Sequence, residues 1–154
     1  MKGNKVATPP LRVLFVCTGN SCRSQMAEGW ARHILGNRVE AHSAGTEPGA
    51  LHPGAIQVMG EAGVDISFQR SKSMDEFRGQ PFDLVIILCD DAESLCPVFP
   101  GGSKRIHVGF PDPARAAGTE EEIMEAFRLI RDRIRRELID LVEEEITRCR
   151  NHPL

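Results

Sequence analysis

The sequence predicts an α/β fold, a three-layer arrangement in which helices flank a parallel sheet of four strands. Short aliphatic runs, typical of strands buried on both faces, alternate with stretches whose apolar residues recur at helical spacing. This alternation is the pattern of parallel strands joined by crossover helices. No internal repeat interrupts it, and 154 residues are about the length of one domain. We expect a flexible extension over residues 1–10, one domain over 11–148 and a C-terminal tail over 149–154.

Each predicted element has its own start or stop signal. Gly36 ends the first helix, and Pro53 is a residue favoured in the first turn of the second. Thr119 and Glu122 have the spacing of a capping box, which opens the last helix. In chain order we predict strands over residues 11–16, 39–43, 84–88 and 105–108, and helices over 24–35, 53–62, 73–77 and from 119 onward.

The composition argues against several functional classes. A net charge of -3 does not provide the basic surface expected of a nucleic-acid-binding protein. No apolar run approaches the roughly 18 residues of a membrane span, and residues 1–10 lack the apolar core of a signal peptide. We therefore expect a cytoplasmic protein, in which five cysteines indicate reactivity or metal binding rather than a disulfide framework. The five histidines are scattered, so we expect neither a metal site nor a cofactor.

The segment 17–24, between the first strand and the first helix, carries the strongest functional signal. Cys17 lies where the strand ends, and Arg23 and Ser24 lie at the start of the helix. Loop amides and the helix dipole favour negative charge there, so they favour a thiolate at Cys17 and an oxyanion beside it. Arg23 offers a planar fork of donors that suits a tetrahedral oxyanion, and Ser24 can donate to the thiolate. The predicted oxyanion-binding residues are Thr18, Gly19, Asn20, Ser21, Cys22, Arg23 and Ser24.

A second cysteine, Cys89, follows the third predicted strand just as Cys17 follows the first. Because the carboxyl ends of parallel strands meet at one edge of the sheet, the two cysteines are expected to lie at one anion site. The loop is not a nucleotide-binding P-loop, since the Gly-Lys-Ser/Thr ending is missing. It is not a Cys-x-x-Cys redox motif either, because four residues separate Cys17 from Cys22.

Three motifs together resemble the thioredoxin-coupled arsenate reductases, which share the fold of the low-molecular-weight protein tyrosine phosphatases. Residues 17–29 resemble the catalytic loop of that family, 88–97 its redox segment and 108–113 its general-acid loop. The similarity runs in order from about Arg12 to Ile146. It implies a flavodoxin-like strand order of 2-1-3-4.

The resemblance implies a relay of three cysteines. Cys17 would attack the arsenic of arsenate while Asp112 donates a proton to the leaving oxygen. Cys89 would then attack the arsenylated Cys17 and release arsenite, and Cys96 would resolve the disulfide for reduction by thioredoxin. An intact helix from Cys89 to Cys96 would separate their Cα atoms by roughly 10 Å. A disulfide needs them within about 7 Å, so this segment must unwind when it is oxidised.

Two other functions stay open on the sequence. A tyrosine or small-molecule phosphatase would use the same Cys17 and Arg23. The phosphatases, however, carry tyrosines just after the Asp-Pro of the acid loop, and this chain contains no tyrosine. A zinc or redox-sensing module would use Cys17, Cys22, Cys89 and Cys96, although these spacings depart from the short ones usual for zinc. In each case we expect a monomer.

Some members of the family bind potassium beside the anion loop through Asn, Ser, Thr and Asp side chains. Asn20 and Ser43 match that pattern, whereas Arg70 and Lys72 fall where a hydroxyl and a carboxylate would be needed. Two cations would repel a third, so no potassium site is expected. The tail cysteine, Cys149, is predicted to be incidental, and Cys22 is predicted to be a bystander thiol in the loop.

Overall fold

The computed structural model describes residues 9–89, 99–100 and 103–151, and these residues form the predicted α/β fold. Four parallel strands make one sheet: β1 (Leu11–Cys17), β2 (Val39–Gly45), β3 (Leu84–Ile87) and β4 (Lys104–His107). Their order, β2-β1-β3-β4, is the predicted one. Three α-helices in the described ranges flank the sheet: α1 (Arg23–Leu35), α2 (Pro53–Glu61) and α3 (Glu120–Asn151).

Strand β1 lies inside the sheet, and its residues from Val13 to Val16 have no exposed surface. This agrees with the unbroken apolar run that predicted it. The register pairs Val16 with Ile87 of β3, and Leu88 N donates to Val16 O at 2.8 Å. Because the ends of β1 and β3 lie side by side, Cys17 and Cys89 leave the sheet at the same edge, as predicted.

The observed strand ends differ by one or two residues from those predicted from the apolar runs, because pairing between strands decides where each strand ends. Strand β2 continues two residues past the predicted end at Ser43, because Gly45 pairs with Cys17. Strand β3 ends at Ile87, one residue early, and β4 begins one residue early at Lys104. The short helix predicted over 73–77 is a 3₁₀ turn over Met74–Phe77. These strand ends are set by pairing with neighbouring strands, so the apolar runs of the sequence do not mark them.

The start of α3 is the predicted capping box. Thr119 N donates to Glu122 Oε1 at 2.9 Å, and Glu122 N donates to Thr119 Oγ1 at 3.1 Å. The helix runs on to Asn151, so Cys149 lies in its last turn and is exposed rather than in a separate tail. Within the described residues, no helix is both long and apolar enough to cross a membrane.

Helix α1 packs closely against the segment that follows α2, and Gly29 allows the approach. A Cβ atom built at Gly29 would lie 2.6 Å from Ile66 Cγ2 and 3.3 Å from Met59 Cε. Ile66 and Met59 are both fully buried, so neither side chain has free space into which it can move. This contact limits how closely α1 can approach α2 and the segment that follows it.

Replacing Gly29 by Ala should lower the free energy of unfolding by about 1–2 kcal/mol, because overpacking outweighs the helix propensity that Ala gains. Urea unfolding would measure the change. Gly60→Ala is the matched control, since Gly60 also lies in a helix and no atom lies within 4 Å of its added Cβ. That control should be unchanged or up to about 1 kcal/mol more stable. Equal stability of the two variants would contradict the packing argument.

Candidate active site

The loop between β1 and α1 has its carbonyl groups turned outward. Every carbonyl from Cys17 to Ser21 accepts a hydrogen bond from a residue outside the loop. Because a planar trans peptide points its N–H opposite to its C=O, the loop amides face the other side, towards the cavity. The bonds run from Thr46 N to Cys17 O at 3.3 Å, Glu47 N to Thr18 O at 2.9 Å, Gly49 N to Gly19 O at 2.9 Å, Ser71 Oγ to Asn20 O at 2.7 Å and His52 N to Ser21 O at 3.0 Å.

Gly45, at the end of β2, allows the loop to lie against the sheet. A Cβ atom there would be 2.5 Å from Thr18 O and 2.9 Å from Asn20 N. Both neighbours are backbone atoms, which cannot give way without displacing the loop. The loop therefore depends on a glycine that is 25 residues or more away in sequence from the backbone atoms it approaches and that the motif itself does not include.

A chain of hydrogen bonds orients the hydroxyl of Ser24 towards the sulfur of Cys17. Asn20 Nδ2 donates to Ser24 Oγ at 2.7 Å, and Ser24 Oγ lies 2.8 Å from Cys17 Sγ. Since the serine oxygen already accepts from Asn20, its own hydrogen is free to donate to the sulfur. The Ser24 hydroxyl thus lies against the Cys17 sulfur, where the sequence predicts it.

The orientation of the Asn20 amide is itself set by its neighbours. Asn20 is fully buried with φ of 48°, and its Oδ1 accepts from Lys72 N at 2.8 Å and from Gln25 Nε2 at 3.0 Å. Gln69 Nε2 in turn donates to Gln25 Oε1 at 2.7 Å. Sequence reasoning missed Gln25 and Gln69, because nothing in the residue type tells a buried glutamine from an exposed one.

Lys72 supplies a positive charge beside this network. Its Nζ donates to Arg70 O at 2.8 Å and lies 3.6 Å from Glu28 Oε1, which accepts from Ser43 Oγ. Burial lowers the pKa of the Lys72 ammonium, while the Glu28 carboxylate acts in the opposite direction. The Arg70 guanidinium turns outward to Glu76 at 2.7 Å, so only one of the two predicted cations faces the network. The ammonium beside Glu28 does not fit a bound potassium ion.

The segment over residues 108–113 brings Asp112 to the arginine of the anion loop. Arg23 Nη1 donates to Phe110 O at 3.0 Å, and its Nη2 lies 3.7 Å from Asp112 Oδ2. The other carboxylate oxygen, Asp112 Oδ1, accepts from Ala114 N at 3.0 Å. One oxygen is thus held by the turn, while the other faces Arg23.

Cys89 reaches the anion loop through a contact that the sequence did not predict. Its Sγ lies 3.2 Å from Thr18 Oγ1, so the residue after Cys17 holds the second cysteine. Arg115 is a further residue at this cavity that sequence reasoning did not select. The cavity measures about 320 Å³ and is lined by Cys17, Thr18, Gly19, Ser21, Cys22, Arg23, Cys89, Asp112 and Arg115.

Not every predicted residue reaches the cavity. Asn20 and Ser24 are fully buried and support the loop from behind. Cys96 lies outside the described residues, and Cys149 is exposed on α3. No group of three or more His, Cys, Asp or Glu side chains is arranged for a metal ion in the described ranges.

The second thiol of the loop differs from the first. Burial raises the pKa of Cys22 to about 12, although a hydrogen bond from Ser21 acts in the opposite direction. Cys22 is therefore protonated near neutral pH, whereas the sulfur of Cys17 lies 2.8 Å from the Ser24 hydroxyl oxygen.

The comparisons with known proteins agree with this geometry. A family model described as low molecular weight phosphotyrosine protein phosphatase matches residues 12–151. The arsenate reductase of Bacillus subtilis is 50% identical over 131 residues, 85% of this chain and 94% of that protein. A solved arsenate reductase in the phosphate binding state superposes with a TM-score of 0.71 at 32% identity, over 87% of this chain and 98% of its own. The solved thioredoxin-dependent arsenate reductase of Corynebacterium glutamicum superposes with a TM-score of 0.65 at 31% identity, over 92% of this chain and 64% of its own.

Iodoacetamide near pH 8 should alkylate Cys17 well before Cys22, because burial keeps the Cys22 thiol protonated, whereas the Cys17 sulfur lies against the Ser24 hydroxyl. Peptide mapping by mass spectrometry at successive times would measure both rates. Inorganic phosphate should protect Cys17, and Ser24→Ala should slow its labelling. Labelling of Cys22 at the rate of Cys17, or a Ser24→Ala variant as reactive as the unmodified protein, would contradict the hydrogen-bond chain.

Potassium should stabilise the protein no more than sodium does, because the Lys72 ammonium lies beside Glu28. Melting temperatures in the two chloride salts at equal ionic strength would test this. In Lys72→Met, which removes the ammonium and leaves the carboxylate, a potassium-specific gain is the expected contrast. A rise of several degrees specific to potassium in the unmodified protein would overturn this placement of Lys72.

Proposed function

Because this chain belongs to the low molecular weight phosphotyrosine protein phosphatase family and, within it, to the arsenate reductases, we propose that its anion loop binds arsenate and that its cysteines reduce arsenate to arsenite. The single observation that carries the proposal is the meeting of two cysteines at one anion cavity. Cys17 lies at its base, and Cys89 is held against the loop by Thr18. A phosphatase of the same fold needs only the first of them.

In the first step the Cys17 thiolate attacks the arsenic of arsenate, and a sulfur–arsenic bond forms. The loop amides and the Arg23 guanidinium stabilise the negative charge on the equatorial oxygens. The bond from arsenic to the leaving oxygen breaks, and Asp112 donates the proton that lets this oxygen leave as water. Asp112 Oδ2 faces the cavity beside Arg23, which supports this role.

In the second step the Cys89 thiolate attacks the sulfur of Cys17. A disulfide forms between the two cysteines as the sulfur–arsenic bond breaks. The electron pair of that bond stays on arsenic, which leaves as arsenite in the +3 state, while the two thiols have been oxidised. The 3.2 Å contact between Thr18 Oγ1 and Cys89 Sγ supports this step, because it keeps Cys89 beside the residue it must attack.

The third step frees Cys17. Cys96 attacks Cys89, a Cys89–Cys96 disulfide forms, and the Cys17 thiolate leaves. An external dithiol then reduces that disulfide. We propose thioredoxin for this role, since the Corynebacterium glutamicum relative is thioredoxin-dependent. The reducing cycle fits a monomeric protein in the cytoplasm, where thiols are kept reduced.

Phosphate-ester cleavage is the second candidate function, because the family model that matches the chain describes a phosphatase. Cys17, Arg23 and Asp112 would suffice for it. The two functions differ in their need for Cys89 and Cys96. Turnover of arsenate with thioredoxin, and then with small thiols as reductant, would decide between a reductase coupled to thioredoxin and one coupled to small thiols.

Serine substitutions should separate the cysteines by their order of action. Cys17→Ser should abolish both arsenate reduction and phosphate-ester cleavage. Cys89→Ser should lose reduction and keep ester cleavage. Cys96→Ser should release about one arsenite per enzyme and stop with Cys17 linked to Cys89, because no thiol remains to resolve that disulfide. Arsenite release and disulfide mapping after one addition of arsenate would measure these outcomes.

The matched control is Cys149→Ser, which changes an exposed cysteine on α3 outside the cavity. It should turn over arsenate as the unmodified enzyme does. If Cys96→Ser turned over at the same rate with thioredoxin, the relay of three cysteines would be wrong. The phosphatase-like function and a small-thiol-coupled reductase would then be the better explanations.

A further inference from the structure

The turn that carries Asp112 also carries a second arginine to the mouth of the cavity. Pro113–Arg115 form a 3₁₀ turn that Asp112 caps, with Arg115 N donating to Asp112 O at 3.1 Å. One turn of this kind returns the side chain of Arg115 to the side of Asp112. Arg115 Nε lies 3.9 Å from Asp112 Oδ2, and Arg115 borders the same cavity as Cys17 and Arg23.

The two arginines at this cavity differ in how they are held. The Arg23 side chain is 10% exposed and fixed by Phe110 O, so its guanidinium is preorganised. The Arg115 side chain is 84% exposed, and its contact with Asp112 is a long ion pair at the surface. Surface ion pairs are weak, so Arg115 can exchange Asp112 for another anion at little cost.

The direction of the reaction places the leaving oxygen near Arg115. A displacement at a tetrahedral centre has the nucleophile and the leaving group roughly in line, so the leaving oxygen lies opposite Cys17. Asp112, the proton donor to that oxygen, has its Oδ2 between Arg23 and Arg115. Arg115 therefore lies about as near as Arg23 to the group that protonates the leaving oxygen, but it does so from the exposed side of the cavity.

We propose that Arg115 is a specificity-determining residue that binds the outward oxygen of a free tetrahedral dianion, such as arsenate or phosphate, in preference to an ester. In a free oxyanion this oxygen is small and polar and can accept from a guanidinium. In an ester the same oxygen carries an organic group, which needs an apolar or aromatic wall. Among the described residues that border the cavity none is aromatic, and a charged side chain stands at its mouth.

This inference rests on the proposed function, but its first test does not depend on it. Calorimetric titration of inorganic phosphate into reduced protein measures the anion site without any redox step. Arg115→Ala should weaken phosphate binding on the order of fivefold, and Arg115→Lys should recover most of the loss. The unmodified protein should also lose phosphate affinity more steeply with added salt than Arg115→Ala does, because the contact is exposed.

Kinetics give the second test. For arsenate, Arg115→Ala should raise KM by a similar factor with kcat within about twofold, because the contact is made on binding. For p-nitrophenyl phosphate, KM should be unchanged or lower. The control is Arg78→Ala, which removes an exposed arginine paired with Asp75. It should leave the phosphate affinity, the KM for arsenate and the KM for p-nitrophenyl phosphate unchanged. Melting temperatures would show that each variant is folded.

Three results would overturn the proposal. The first is that Arg115→Ala binds phosphate with the same affinity as the unmodified protein and has the same KM for arsenate. Another is an equal loss for p-nitrophenyl phosphate, which would make Arg115 a general anion contact without selectivity. The third is an equal loss in Arg78→Ala. If the unmodified protein failed to reduce arsenate at all, the proposed function would fail, while the comparison of phosphate with the aryl ester would still decide the role of Arg115.

Discussion

The anion loop depends on five consecutive carbonyl groups being bonded from outside. From Cys17 to Ser21, each one accepts a hydrogen bond from residues 46–52 or from Ser71. A loop that satisfied its carbonyls internally would turn them inward, where they would repel an oxyanion. Here the outer segments bind the carbonyls, and the planarity of the peptide directs the amides towards the cavity. The charge preference of the site is therefore a property of the residues around the loop as much as of the loop.

The same arrangement explains why the second strand and the segment after the second helix take part in the site. Gly45 at the end of β2 lets the loop backbone approach the sheet, and Lys72 N fixes the amide of Asn20. Asn20 then directs the Ser24 hydroxyl to the Cys17 sulfur. A sulfur at the end of a strand thus receives its hydrogen bond through a chain that begins about 50 residues later in sequence. Disturbing any link would weaken that hydrogen bond without changing Cys17 itself.

The cavity combines a rigid base with a less constrained mouth. Cys17, Ser24 and Arg23 are buried and held by several partners, as preorganised electrostatic stabilisation requires. Asp112 and Arg115 stand on a short turn nearer the solvent. A rigid base suits charge stabilisation, whereas a more exposed rim lets an anion enter and a product leave. Cys89 also borders the cavity, and its sulfur contacts Thr18.

The sequence by itself determined the fold class and the position of the loop, with Cys17 at its start and Arg23 near its end. An unbroken apolar run ending at Cys17, followed six residues later by Arg23, is a local pattern. Local patterns can be interpreted from sequence because strand burial and helix capping act over a few residues. The capping box at Thr119 and the edge shared by Cys17 and Cys89 follow from similarly simple rules, the second one from parallel topology alone.

Only the tertiary structure decided which distant side chains complete the site. Gln69 supports Gln25, Lys72 lies beside Glu28, and Thr18 contacts Cys89, although 44 or more residues separate each of these pairs. Arg70 turns away from the network although it stands two residues from Lys72. These outcomes depend on the register of the strands and the depth at which α1 packs on them. Residue type does not encode either quantity, because the same side chain is buried or exposed according to what the rest of the chain places against it.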